Sequence, residues 1–522
     1  MNRQVSRRQV IELLLRISAG ASVATALSSC GYTGQPPKQP LVPPPPPGPR
    51  YQGEQPNIVL VIVDDLADKL MGQESKFPFL QCPNVERLQR EGATFENAFV
   101  PTSVCSPNRA SIMTGAYAHN HGVRVNDFED LSPEYPNFPD LLQESGYDTG
   151  FVGKWHMDGS TDKPRLHFDY WLSFLGQGVY DDPVLNENGN RFKASGYVTD
   201  IINNYAVDFI HTAREKPFCL IVSHKAGHVA YEAAPKYRDA FKGATLPEPV
   251  SYQDTLEGKP AWQRRYALCG LPKASWEACG EVPEALPLRP WNARNENLLT
   301  HLRTLLSVDE GVGMLLQALT NMEQLDNTIV VFTSDNGYML GAHRLFDKRV
   351  MYEESLRVPL TVRFPKRLEG GRRSSRLVST LDLAPTFLEL GGHDVPETMF
   401  GSSLLPLFDN EGTSWRDRLL YEYFQEEPGP AVPTMLGVRT ERHKYVTYPD
   451  LPDDIDELYD LEADPYEMRN LIADPAYAPL LGELQATLGQ DFASVGYTQG
   501  LAEAYPPFTD GGGVPQSRVD AS

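Results

Sequence analysis

Asp64-Asp65 and Asp335-Asn336 are two pairs of hard oxygen donors, each standing directly after a run rich in β-branched residues. Hard donors suit Ca2+ or Mg2+ rather than zinc or copper. One such pair after a strand is most simply a turn former or helix cap. Two pairs at two buried strand ends favour a metal. A second constellation is Cys105-Ser106-Pro107-Asn108-Arg109-Ala110-Ser111. Pro107 suits the first turn of a helix. Cys105 then stands at the helix N-terminus, where exposed N–H groups favour an anion. Arg109 follows one turn later. From these residues alone Cys105 is either an activated thiolate or a capping cysteine without a role. Lys154-Trp155-His156 places a cation and an imidazole two residues apart, and His224, Lys225 and His228 do the same elsewhere. His224 and His228 have the i, i+4 spacing of a zinc pair, but Ala226-Gly227 between them argues against a helix. Lys348, in Phe346-Asp347-Lys348-Arg349, adds another cation. Singly these are ordinary surface residues. Together with Arg109 they form a cationic set beside an anionic metal site, which suits a small tetrahedral anion bridged between metal and side chains.

The elements that must hold these groups are legible as alternating strands and helices. Residues 57–63, NIVLVIV, form a continuous apolar run, hence a strand buried on both faces of a parallel sheet. Further strands are read at 146–153, 218–223, 328–333 and 358–364. Helices are read at 138–145, 298–322 and 381–390, the second with a wide leucine-rich face. This alternation predicts a layered α/β domain with a mainly parallel sheet. Such sheets carry their sites beyond the carboxyl ends of the strands. Asp64-Asp65, Lys154, His224 and Asp335-Asn336 all follow strand ends, so four exits deliver ligand-type or ionic groups to one edge. Residues 240–296 are rich in Pro, Trp and Arg with little periodicity and read as a long insertion near the site. Past residue 400, short strands at 419–423, 435–439, 444–448 and 457–461, with a helix around 480–488, predict a small antiparallel sheet.

Composition sets the outer limits. The chain has 522 residues, 47 Lys+Arg against 69 Asp+Glu, and a formal charge of -22. That argues against nucleic acid as partner, because phosphates need a basic surface. It also argues against an easy polyanion ligand unless a local pocket overrides the field. Six cysteines are too few for a disulfide scaffold, although Cys269 and Cys279 have the spacing of a short-loop bridge. At the N-terminus, Ser6-Arg7-Arg8 precedes a modest apolar stretch, the pattern of a twin-arginine export signal. Leu27-Ser28-Ser29-Cys30 matches a lipobox, so Cys30 is the expected lipid anchor and the only membrane attachment. Residues 35–50, QPPKQPLVPPPPPGPR, read as a polyproline spacer. The expected destination is the cell envelope, at the periplasmic or outer surface.

These residues resemble the sulfatase family of the alkaline-phosphatase-like superfamily. Cys105-Ser106-Pro107-Asn108-Arg109, with Ser111 and Thr114-Gly115, matches the signature Cys-X-Pro-X-Arg with its downstream Thr-Gly. The likeness runs from about Pro56 to Leu471, through Gly153-Lys154-Trp155-His156, Ser334-Asp335-Asn336-Gly337, Arg357-Val358-Pro359 and Leu458-Tyr459-Asp460-Leu461. It implies an alkaline-phosphatase-like three-layer α/β domain with a smaller C-terminal antiparallel subdomain. The implied layout is a signal over 1–30, a linker over 31–55, a catalytic domain over 56–400, a C-terminal subdomain over 401–500 and a tail over 501–522. It implies hydrolysis of sulfate monoesters through a formylglycine made from Cys105 by a separate maturation enzyme. Asp64, Asp65, Asp335, Asn336 and the modified Cys105 would hold Ca2+, with Mg2+ the other hard cation. Arg109 would orient the formylglycine, and Lys154 and Lys348 would bind sulfate oxygens. In the implied mechanism the aldehyde hydrate attacks sulfur. His228, with Lys348, protonates the leaving alcohol, and His156 takes the proton whose loss expels sulfate.

Two departures bear on substrate. Gly227 stands where relatives often carry Pro, and Ala342 and Arg344 stand where relatives commonly have Glu and Gly. His343 and Arg344 are therefore either substrate-facing or plain surface cations. Residues 117–122 and 347–355 look most like sulfatases of sulfated carbohydrates, including N-acetylglucosamine-6-sulfatases. Two alternatives stay open. One is phosphate or phosphonate monoester hydrolysis on the same scaffold. The other is a silent glycan-binding lipoprotein with unmodified Cys105, against which the intact charged set speaks.

Overall fold

The computed structural model describes residues 55–126, 129–212, 214–270, 281–426 and 432–497. The export signal, Cys30, the linker up to residue 54, Cys279 and the tail from residue 498 lie outside the described residues. Contacts divide the described chain into two compact units, residues 55–252 with 289–419 and residues 253–288 with 420–497.

The first unit carries a ten-stranded sheet. Its strands are β1 (Asn57–Val63), β2 (Ala93–Phe99), β3 (Asp148–Gly153), β4 (Tyr170–Ser173), β5 (Val184–Glu187), β6 (Asn190–Lys193), β7 (Phe218–Ser223), β8 (Thr328–Ser334), β9 (Leu360–Arg363) and β10 (Arg372–Ser379). Their spatial order is β10-β2-β9-β8-β1-β7-β3-β4-β5-β6. The centre, β8-β1-β7-β3-β4, is parallel. β9 runs antiparallel to both neighbours, and β5 and β6 add an antiparallel edge. The helices that matter here are α1 (Pro83–Glu91), α2 (Cys105–Thr114), α3 (Phe138–Glu144), α4 (Val198–His211), α5 (Glu296–Asn321) and α6 (Leu383–Leu390).

Strand periodicity explains the layers. Val59, Val61 and Val63 point to one face and join a core with α1, α4 and α5. The intervening residues Ile58, Leu60 and Ile62 are equally buried and face the other way. There α2, α3 and α6 pack on one another, and α3 also packs on β3. A strand that is apolar on both faces can sit only between two helical layers, which is why β1 is central. Helix α5 begins where the Asn295 side chain accepts from the N–H groups of Asn297 and Leu298.

The second unit holds an antiparallel sheet in the order β11 (Arg418–Tyr423), β12 (Met435–Thr440), β13 (His443–Thr447) and β14 (Glu457–Asp460). The helix Ala478–Ser494 packs on β12 and β13. Residues 253–288, part of the stretch without periodicity, contain the helix Ala261–Cys269. Its Gln263 donates to Glu457 at 2.8 Å. Buried polar residues such as Gln263 and Arg264 interrupt the apolar pattern that would have announced this helix. Lys259 pairs with Asp254 at 2.6 Å and Lys444 with Glu467 at 2.7 Å, all four nearly or fully buried. Cys269 is disulfide-bonded.

Candidate active site

Register builds the site. Val63 of β1 pairs with Ser334 of β8, Ile62 of β1 with Ser223 of β7, and Gly153 of β3 with Ser223. Four neighbouring strands therefore end level, about 5 Å apart from one to the next. The residues that follow are Asp335, Asp64, His224 and Lys154. Backbone bonds continue the ladder past the strand ends. Asp335 N–H donates to Val63 O at 3.1 Å, His224 N–H to Ile62 O at 2.8 Å and Lys154 N–H to Ser223 O at 2.8 Å. The chain after β7 then folds back so that Asp64 N–H donates to Ala226 O at 3.1 Å. Gly227 makes this possible. Its φ is +101°, and a Cβ there would lie 1.8 Å from the Asp64 carbonyl oxygen.

Helix α2 enters from the opposite layer with Cys105 as its first residue and Pro107 in its first turn. It closes at Gly115, whose φ is 61° and whose N–H donates to Ser111 O at 2.8 Å. Every residue of α2 is buried. Ligand atoms of Asp64, Asp65, Cys105 and Asp335 lie within 4.8 Å of one another, and those of Asp64, Cys105 and His228 form a second such group. Cys105 Sγ is 3.4 Å from Asp64 Oδ1. His224 joins neither group, so His224 and His228 do not form a zinc pair. Its ring is buried, and neither nitrogen makes a hydrogen bond.

The donor set fits a hard cation. Asn336 donates its amide to Asp65 Oδ1 at 2.6 Å and to Gly337 O at 2.9 Å. Its Oδ1 is buried and meets no donor. A cation is what such an orphaned oxygen lacks. The carboxylates tell the same story. Burial, and then Asp64 and Asp335, push Asp65 up to about 6, with Lys348 opposing. Asp335 is also raised, by burial and by Asp64. Asp64 is buried too, yet Lys154, His228, Arg109 and Lys348 together hold it well below the usual range.

Cations surround this core. Lys154 Nζ bonds Asp64 and donates to Gln177 Oε1 at 2.6 Å. Lys348 Nζ bonds Asp65 and lies 2.8 Å from Cys105 Sγ. Arg109 is fixed on three sides. It reaches Asp335 at 2.8 and 2.9 Å, the Lys154 carbonyl at 2.8 Å and the Ser223 hydroxyl at 2.5 Å. Burial and the nearby Asp64 push the Cys105 thiol well up, so as a cysteine it is protonated. Lys154 and Lys348 oppose this shift but do not cancel it, which argues against the activated-thiolate reading. The helix N-terminus cannot outweigh a fully buried position beside a carboxylate.

His156 sits in the left-handed region, with φ 66°. Ser106 Oγ donates to the His156 carbonyl at 2.7 Å and lies 3.0 Å from its Nδ1. The hydroxyl has one proton and gives it to the carbonyl. Nδ1 therefore donates to Ser106, which makes Nε2 the basic nitrogen of the neutral ring. On His228, Nδ1 faces the Val229 carbonyl, which can only accept, so Nδ1 holds a proton there too. Burial, and then Lys154, hold His228 well below the ordinary imidazole range.

All ten site residues read from the sequence lie in the first unit at this edge. His343 and Arg344 are not surface cations. Both are buried, His343 stacked on Tyr352 with centroids 4.0 Å apart, and Arg344 Nε donating to Tyr252 O at 3.1 Å. Sequence reasoning assigned no role to Ser106 or Asn108, although both lie inside the quoted motif. Asn108 bridges the Asp335 carbonyl at 2.5 Å and the Thr380 hydroxyl at 2.8 Å. It also missed Gln177, which stands in an aperiodic loop without any signal.

The family model Sulfatase matches residues 56–393, and a model described as N-sulphoglucosamine sulphohydrolase, C-terminal, matches residues 341–493. An N-acetylglucosamine-6-O-sulfatase of Bacteroides thetaiotaomicron is 33% identical, over 84% of this chain and 86% of its own length. The human N-acetylglucosamine-6-sulfatase is 32% identical, over 73% of this chain and 69% of its own. A solved structure of a protein in complex with its substrate D-glucosamine-2-N,6-O-disulfate is similar at TM-score 0.74 and 32% identity, covering 85% of this chain and 98% of that one.

Proposed function

The chain belongs to the sulfatase family and is a sulfuric ester hydrolase, and from this we propose that it desulfates a sulfated carbohydrate through a formylglycine made from Cys105. N-acetylglucosamine 6-sulfates are the first substrates to try, because the relatives named above carry that activity in their names. We propose Ca2+ as the metal. Asp64, Asp65, Asp335, Asn336 and the modified Cys105 would hold it. The observation that carries the reading is the cluster of Asp64, Asp65, Cys105 and Asp335 ligand atoms within 4.8 Å, with two buried ammonium groups against it.

When bound, the ion would supply positive charge toward the sulfate oxygens, and the formylglycine hydrate would supply the attacking oxygen. The rest falls to side chains of this chain. Lys154 and Lys348 neutralise the ester's anionic oxygens, and their contacts with Asp64 and Asp65 hold them in place beforehand. Arg109 locks Asp335 and the carbonyl of Lys154, so the two sides of the pocket keep one spacing. His156 takes a proton at Nε2, because Nδ1 is committed to Ser106. Burial and then Lys154 keep the His228 ring neutral at rest; the bound anion favours uptake of a second proton from solvent at Nε2, and that proton goes to the leaving alcohol.

Residues 6–30 support export and lipidation at Cys30, which we also propose. The test begins with mass spectrometry of the Cys105 peptide from the native host. Formylglycine or its hydrate there, with release of sulfate from an N-acetylglucosamine 6-sulfate, supports the proposal. A folded protein with unmodified thiol throughout refutes it for that host. Faster turnover of matched phosphate esters than sulfate esters would shift the reading to phosphate chemistry.

A further inference from the structure

We propose that Lys225 is an anion-binding residue of this site, its ammonium meeting an anionic oxygen of the bound sulfated substrate. Five lysines are buried among the described residues: Lys154, Lys225, Lys259, Lys348 and Lys444. Four of them pair with a carboxylate, respectively Asp64, Asp254, Asp65 and Glu467. Lys225 is the exception. Among the described residues no carboxylate lies within ion-pair distance of it. Its one close partner is the ring of Tyr180, whose centroid is 4.7 Å from Nζ.

Lys225 is the second residue beyond β7, between the strand end and His228, and is only 3% exposed. Burial and then Lys154 lower its pKa to about 8, while Asp64, Asp65 and Cys105 act the other way. These couplings put the ammonium in the field of the pocket. Tyr180 is itself braced, because its hydroxyl donates to the His228 carbonyl at 2.6 Å. The ring that carries Lys225 is thereby tied to the residue proposed as proton donor.

A buried lysine without a counter-ion, in the field of a second ammonium, is costly to keep charged. A cation–π contact offsets only part of that cost. Lys154 and Lys348 already have carboxylate partners, so their charge is partly spent before a substrate arrives. Lys225 holds charge that no carboxylate of the described residues pairs and that an incoming anion can pair. The anionic oxygen belongs either to the reacting sulfate or to a second anionic substituent on the same sugar. The chemistry is the same, and the experiment separates the two.

The proposal rests on the sulfate-ester reading, so one arm needs no turnover. Full-length wild type, Lys225→Gln, Lys225→Met and Lys225→Arg are supplied with Ca2+ and titrated calorimetrically with inorganic sulfate. They are then assayed on an aryl monosulfate and on glucosamine carrying two sulfates. Contact with the reacting sulfate predicts about tenfold weaker sulfate binding in Lys225→Gln, about 1.4 kcal/mol. The KM for the aryl ester rises to match, kcat changes less, and Lys225→Arg stays near wild type. Contact with a second substituent predicts a similar KM rise on the disulfated sugar alone. Lys225→Met keeps an unbranched side chain of similar length without the charge and decides the matter if Lys225→Gln does not fold. Unchanged sulfate affinity and unchanged KM on both esters, in a variant of native melting temperature, overturn the proposal. A wild type that binds no sulfate and turns over neither ester overturns it too. Weaker sulfate binding without any ester hydrolysis by the wild type upholds Lys225 and instead refutes the catalytic reading.

Discussion

Gly227→Ala tests how strictly the chain beyond β7 holds Asp64. The added Cβ would stand 1.8 Å from the Asp64 carbonyl oxygen, where ordinary contact needs 3.4–4 Å. The neighbouring Ala226 carbonyl already accepts from Asp64 N–H at 3.1 Å, so the two backbones cannot part without losing that bond. A left-handed φ costs an alanine about 1–2 kcal/mol, and overpacking costs about 1–3 kcal/mol more. The total, about 2–5 kcal/mol, is below the stability of a typical domain, so the variant folds with a lowered Tm. Its activity suffers more, because the displaced residue contacts both Cys105 and Lys154. A shift of about 1 Å at such a position lowers kcat/KM about 100-fold. Gly146→Ala is the control. Gly146 has φ +95° and nothing within 4 Å of an added Cβ, so it isolates the backbone cost from the contact. Thermal melting and aryl-sulfate hydrolysis are measured on both. The reasoning fails if Gly227→Ala melts with Gly146→Ala and keeps full kcat/KM. Gly227→Pro is expected to be worse than Gly227→Ala. Proline is locked near φ -65° and cannot reach +101°.

Metal removal should be visible in stability as well as in rate. Without a cation, Asp65 titrates at about 6 in the folded chain, above an unfolded aspartate at about 3.9. The folded state then binds more protons between those values. The chelated protein should therefore keep this contribution below about pH 4 and lose it as pH rises through 6, seen as a falling Tm. Added Ca2+ should remove that fall, and equal Tm curves with and without chelator would contradict the site. Ser106→Ala removes the group that fixes the His156 tautomer. One hydrogen bond, about 1 kcal/mol, predicts about a fivefold loss of kcat with little change in KM, and Ser106→Thr should restore most of it. A kcat for Ser106→Ala equal to wild type would remove the positioning role. In the second unit, Lys444→Met withdraws the ammonium that faces buried Glu467. The expected cost is about 3–5 kcal/mol in thermal unfolding, and the double variant Lys444→Met/Glu467→Met should recover much of it.

The parts of this fold that the sequence announces are those whose environment is uniform. Strands β1, β7 and β8 are buried along their whole length, so each carries a continuous apolar run of four to six residues at its centre. Strands β6 and β10 carry exposed polar residues at the sheet edges, as in NRFK and RRSSRLVS, and have no such signature. The site follows the same logic. Asp64 and Asp335 are legible as donors, but they become one site only because β1 and β8 are neighbours in register. No local pattern encodes a pairing between strands some 270 residues apart. His343 and Arg344 read in sequence as either substrate-facing or surface cations, because composition cannot show that one stacks on Tyr352 and the other donates to the Tyr252 carbonyl. Net charge misleads for a related reason. A formal charge of -22 argues against an anionic ligand only if the field is uniform. Here three carboxylates meet three cationic side chains, Arg109, Lys154 and Lys348, all buried, and Lys225 is buried just beyond the end of β7. A divalent cation would add two further positive charges to that balance. Surface carboxylates more than about 8 Å away are screened by physiological salt, while these buried groups are not. An acidic protein can therefore present a cationic pocket, and what decides its ligand is the handful of side chains that the sheet register delivers to one edge.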